Sequence, residues 1–151
     1  MPRRAIPDVS RTLTDAERWL DRGAFFGSIA ATLDHVLWDD RVWLARLSGD
    51  AERADTIGRR RPYTDGREDR SGHVRERERL DGSIVEWARG LTRSDLEGRI
   101  EWMRGEEPMS SSRGFYVVHL FNHQTHHRGQ VHAMLTAAGA TPEPTDLPVM
   151  P

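Results

Sequence analysis

An all-α helical bundle is the fold this sequence predicts, on three observations. Apolar residues recur at three- and four-residue spacing in three long segments, each bounded by a capping residue or a glycine. The connectors between these segments are polar and carry the arginines, glycines and prolines that interrupt helices. Strand-like alternation is confined to one brief stretch near residue 100. At 151 residues the chain fits one domain with a core of its own and is too short for two ordinary ones.

Residues 1–12 hold two prolines among several arginines and read as an irregular lead-in to a helical domain over 13–151. Thr14 followed by Glu17 is a capping box for a short helix that Gly23 ends. Ser28 caps the next helix, whose apolar set Ile29, Leu33, Val36, Leu37, Leu44 and Leu47 keeps helical spacing until Ser48-Gly49. His35 lies within it, with Asp39 one turn later, then Asp40 and Arg41. Trp38 and Trp43 read as core or interface anchors. Between Gly49 and Gly72 periodicity is lost and charge rises, which predicts an exposed basic loop. A third helix follows over about Ser71–Arg89, with Val74, Leu80, Ile84, Val85 and Trp87 inward and Gly90 closing it. Arg99–Met103 alternates and predicts a short extended piece, and the serines at 110–112 cap the last helix. After Gly139 the tail is too rich in proline for a helix and reads as an extended strap.

The last helix, Phe115–Ala138, collects five of the seven histidines. His119, His123 and His127 fall four apart and His126 three beyond His123, so their side chains share a face. Histidine is only a modest helix former, so propensity does not account for the cluster. Two imidazoles one turn apart can converge on a cation, although a single helical histidine is ordinarily a surface or hydrogen-bonded core residue. Taken alone, His35 reads as such a core residue. In a bundle whose ligands project inward from facing helices, however, it joins His123 and His127 as a three-nitrogen set.

Composition narrows the chemistry. The chain has no cysteine, which excludes disulfides, iron–sulfur clusters and thiolate ligands, so any metal sits on nitrogen and oxygen. All 22 basic residues are arginines, which removes a lysine base or Schiff base. The net charge of −2 offers no electrostatic argument for nucleic acid or an anionic membrane. Neither a signal-peptide core nor a run approaching about eighteen apolar residues occurs, so a cytoplasmic location is expected.

Four stretches carry a family resemblance: Arg22-Gly-Ala-Phe-Phe-Gly-Ser-Ile29, the segment Thr32–Leu44, His119-Leu-Phe-Asn-His-Gln-Thr-His-His-Arg-Gly-Gln-Val-His132, and Thr145-Asp-Leu-Pro148. From about Leu13 onward the chain resembles the DinB family of damage-inducible and DinB-like metalloproteins. The resemblance implies a four-helix up-down-down-up bundle, a homodimer, and a divalent metal held by His35, His123 and His127 with coordination positions left open. Zinc, nickel and iron all suit three nitrogens. Some similar proteins use such a site to activate a low-molecular-weight thiol toward a small-molecule substrate, and others are described as hydrolases. The alternative is a non-catalytic stress-related dimer with a structural or vestigial metal. Asp39 or Asp40 is expected to orient an imidazole, and Arg128 and Gln130 to fix helix contacts or bind substrate. Members of the family carry a long amphipathic helix before the stretch that matches Leu13–Leu20. Here only the lead-in precedes that stretch, so the first helix is expected to be shortened or missing.

Overall fold

The computed structural model describes residues 12–59, 70–146 and 148. The capping box opens α1 (Asp15–Trp19): Thr14 Oγ1 accepts from the Glu17 N–H, and the Glu17 carboxylate takes the Thr14 N–H at 2.8 Å. The helix stops at Leu20, before Gly23. Gly23 (φ 74°) and Gly27 (φ 75°) instead adopt the left-handed backbone that brackets a tight turn over Ala24–Gly27.

Helix α2 (Ile29–Leu47) starts where Ser28 accepts from the Ala31 N–H at 3.1 Å and ends at Ser48. It is the centre of the molecule. Ile29 and Leu47 are fully buried, and so are the polar side chains Thr32 and Asp40, because neighbours cover α2 on several sides rather than along one apolar stripe.

The basic loop expected after Gly49 is in part a helix, α3 (Ala51–Gly58), and the correction has a physical cause. Asp50 accepts from the Arg53 N–H at 3.0 Å, which starts the helix. Ala54 then packs without exposure against Val42 and Ala45 of α2, and Trp38 Nε1 donates to the Ile57 carbonyl at 3.0 Å. Ala54, Ile57 and one tryptophan tie hold two turns whose remaining residues are mostly polar. Residues 60–69, the rest of that expected loop, lie outside the described residues.

Helix α4 (Arg70–Gly90) runs in the same direction as α2: Asp34 faces His73, Asp40 faces Arg77, and Trp87 packs beside Trp43 and Leu47. Ile84 is its only buried apolar residue among those described, so polar ties supply much of its attachment. An antiparallel hairpin follows, β1 (Arg99–Arg104) and β2 (Glu107–Ser112), with Trp102 opposite Met109 and Gly105 (φ 66°) in the turn. Only the first strand is legible in the sequence. Ser110 and Ser111 belong to β2, and Ser112 alone caps the next helix, accepting from the Phe115 N–H at 3.2 Å.

Helix α5 (Arg113–Ala137) runs against α2. Tyr116 and Leu120 meet Trp43 and Leu47 at one end, while Met134 and Leu135 meet Ile29 at the other. Two parallel helices and one antiparallel to both make up the down-down-up part of the expected bundle. The lead-in, and with it the shortened or missing first helix, falls on residues outside those described except for Thr12. Residues 141–146 have no regular structure, as a proline-rich strap should, and Ala140 packs on the Ile29 cluster. No described helix is long and apolar enough to cross a membrane.

Candidate metal centre

Antiparallel packing of α2 on α5 brings His35 level with His123 and His127, one turn apart. His35 Nε2 and His127 Nε2 each lie 3.1 Å from His123 Nε2. Three nitrogens bonded tetrahedrally to one zinc ion at about 2.0–2.1 Å are roughly 3.3 Å apart, so the observed spacing matches a shared cation closely. Ligand atoms of these three residues all lie within 4.8 Å of one another, and they could hold a metal ion.

The outer edge of one ring decides which of its nitrogens faces inward bare. His127 Nδ1 is 2.7 Å from Gln130 Oε1, which can only accept, so Nδ1 carries the proton and Nε2 keeps its lone pair. Asp39 Oδ2 faces His123 Nδ1 at 3.2 Å without hydrogen-bond geometry. With the His123 proton on Nδ1 as well, two lone pairs face each other at 3.1 Å, an arrangement that repels unless a cation lies between them. Burial, reinforced by neighbouring imidazoles, depresses the pKa of His35 to about 4 and of His123 to about 3. Burial lowers that of His127 as well. The rings are thus held as neutral ligands, the form a metal requires.

Asp39 and Asp40 have separate roles. Asp39 faces His123, and burial followed by the Asp40 charge raises its carboxyl pKa to about 7. Asp40 orients no imidazole. Its Oδ2 accepts from Arg77 Nη1 at 2.5 Å and from Gln124 Nε2 at 2.9 Å, tying α2 to α4 and α5 with a fully buried carboxylate. Gln124 and Arg77 were not singled out by the sequence. Gln124 lies inside the histidine motif, and Arg77 is one arginine among many on a charged helix. Arg128 is placed away from the cluster and donates to Thr125 Oγ1 at 3.2 Å.

The remaining histidines stay outside the triad. His119 lies against Trp43, with ring centroids 5.0 Å apart, and exposed His126 lies beside His127 at 4.8 Å. His73 is buried against Asp34 at 2.8 Å. Phe26 closes one side of the triad. Its ring stacks on His35 with centroids 4.0 Å apart and stands 5.5 Å from His127.

A helical bundle with three imidazoles from two antiparallel helices converging in its interior defines a class of metal-associated four-helix proteins. The family model described as DinB family matches residues 2–151, essentially the whole chain. The chain belongs to the DinB family. Comparison with curated proteins and with solved structures finds no match.

Proposed function

We propose that this protein is a divalent-metal-dependent enzyme of the thiol-transferase or hydrolase type, with His35, His123 and His127 as the metal ligands. The observation that carries the proposal is an incomplete ligand set. Among the described residues three nitrogens converge and no fourth protein ligand joins them. A structural site is closed by protein atoms, whereas a catalytic one keeps a position for water or substrate. The two residues best placed in sequence to supply a fourth ligand stand elsewhere: Asp39 faces the outer nitrogen of His123, and His126 is exposed.

A divalent cation on three neutral imidazoles retains its full charge and lowers the pKa of a bound water or thiol toward neutrality. The protein's own residues prepare that site. Gln130 fixes the tautomer of His127, Asp39 places its carboxyl beside the outer nitrogen of His123, and the Asp40–Gln124–Arg77 tie sets the register of α5 on α2. Phe26 screens one flank of the rings from water.

The proposal includes a cytoplasmic homodimer. Phe115, Val118 and Phe121 recur every three residues along α5 and are 58%, 66% and 41% exposed, an apolar stripe suited to a second copy.

Elemental analysis of purified protein, followed by a screen of the metal-loaded form with low-molecular-weight thiols and small electrophiles or esters, is the test. Stoichiometric metal and a turnover that chelation abolishes are expected. Stoichiometric metal with no turnover in either screen favours the structural alternative, and no metal at all removes both.

A further inference from the structure

The turn over Ala24–Gly27 places one phenyl ring against the histidine triad and a second against the first, and they differ in what the fold does with them. Phe26 is half-buried and stacks on His35. Phe25 is 85% exposed and touches Phe26 edge-on, with centroids 4.9 Å apart. An exposed aromatic on a floppy loop would mean little. This turn is held closed, however. The Gly27 N–H donates to the Ala24 carbonyl and the Arg22 N–H to the Gly27 carbonyl, both at 2.7 Å, and the Ser28 N–H donates to the Phe26 carbonyl at 2.9 Å. Asp21 Oδ1 accepts from the Gly23 N–H at 2.9 Å, and both flanking glycines take left-handed backbone. Ser28, the last residue of the turn, is also the cap of the helix that carries His35. The turn is therefore registered to the helix that carries the ligand, with its two rings three and two residues ahead of that cap.

Phe26 needs no such lip to support His35, since a single stacked residue would do that. The second ring, held in water one step further out along the same turn, adds nothing to the core. It meets the triad only through the edge of Phe26, the ring that stacks on His35. We infer that Phe25 and Phe26 form an aromatic subsite that receives the planar apolar part of a small molecule whose anionic atom binds the metal. This rests on the metal proposal above and adds the substrate class: a carboxylate or thiolate attached to an aromatic or otherwise flat apolar group. Edge-on and stacked ring contacts are the interactions such a pair of rings offers, and they discriminate by shape rather than by charge.

The test uses cobalt(II)-loaded full-length protein, because cobalt visible bands report exogenous ligands without any turnover. Acetate and benzoate, two carboxylates of similar basicity, are titrated into wild type, Phe25→Ala, Phe26→Leu and Phe115→Ala. Wild type and Phe115→Ala should bind benzoate on the order of tenfold more tightly than acetate, the scale of one buried ring contact. Phe25→Ala should lose most of that preference while acetate affinity stays constant, and in Phe26→Leu the ratio of benzoate to acetate affinity should fall likewise. Phe25→Ala removes an exposed ring and leaves folding intact, so it remains decisive if Phe26→Leu is unstable. Equal affinities in wild type, or a preference that survives both turn variants, overturns the subsite. Absence of cobalt bands overturns the metal proposal and the subsite together.

Discussion

An imidazole is a metal ligand only when the proton sits on its other nitrogen, so Gln130 matters as much to this site as the His127 ring it faces. His123→Ala or His127→Ala should abolish metal uptake measured by mass spectrometry, and unchanged content in both variants would refute the assignment. His73→Ala and His132→Ala should retain metal, because neither ring belongs to the converging set. Gln130→Ala should weaken metal affinity about 10- to 100-fold, the usual effect of losing an outer hydrogen bond, without removing a ligand. Competition with a chromogenic chelator measures it. The pH dependence follows from burial. With His35 held at about 4 and His123 at about 3, protons do not compete with metal as the pH falls through 6.5, where an unperturbed histidine titrates. Metal content should stay level across that window. Metal-free protein should behave differently: its unfolded chain takes up protons near 6.5 while the folded His35 and His123 rings resist until about 4 or below, so their contribution to stability falls as pH drops between these values, against an opposite contribution from Asp39, whose folded carboxyl is raised to about 7. Chemical denaturation of chelator-treated Asp39→Asn protein, which lacks the opposing carboxyl, at pH 7 and pH 5 checks the sign.

Three helices meet on one buried carboxylate. Asp40→Ala leaves Arg77 and Gln124 without their shared acceptor and should lower unfolding free energy by about 3 kcal/mol in urea titrations, as breaking a buried charged pair does. Ser28→Ala removes only a helix cap and should lower it by about 1 kcal/mol. Elements whose stability resides in their own sequence were the legible ones. The stretch Ile29–Leu47 declares itself by its cap, its apolar spacing and its glycine stop, and the histidine helix by its motif. Helix α3 is different, because what holds it is Ala54 and Ile57 against residues of α2, contacts between segments that no local pattern displays. Asp50 after Gly49 was the one signal available. Strand β2, Glu-Pro-Met-Ser-Ser-Ser, carries none of the β-branched or aromatic residues that mark strands. It forms because β1 is anchored through Trp102, whose Nε1 donates to the Tyr116 hydroxyl at 3.0 Å while its ring meets Trp43 edge-on. The triad occupies an intermediate position. The one-turn spacing of His123 and His127 is visible in the chain, whereas the choice of His35 needed the antiparallel fit of two helices to become geometry.

For the whole molecule, an ion bound to both α2 and α5 is a cross-brace that the unfolded chain lacks. At a free metal concentration of about 100 times Kd the linkage adds about 2.7 kcal/mol, which for a chain of this length raises Tm by roughly 5–10 °C. Thermal melts with and without chelator should show that difference, and His123→Ala should show none. The exposed stripe on α5 predicts association: sedimentation as a clean monomer that binds no apolar dye would contradict the proposed dimer.

Two tryptophans lie near the candidate metal position. Trp38 lies with its ring 6.0 Å from that of His35, and Trp43 lies 5.0 Å from His119, the next histidine along α5 from His123. A paramagnetic ion seated among the imidazoles is within quenching range of both indoles. Native emission therefore gives a label-free optical gauge of occupancy, one that follows nickel or cobalt entry in real time and stays dark to the spectroscopically silent zinc.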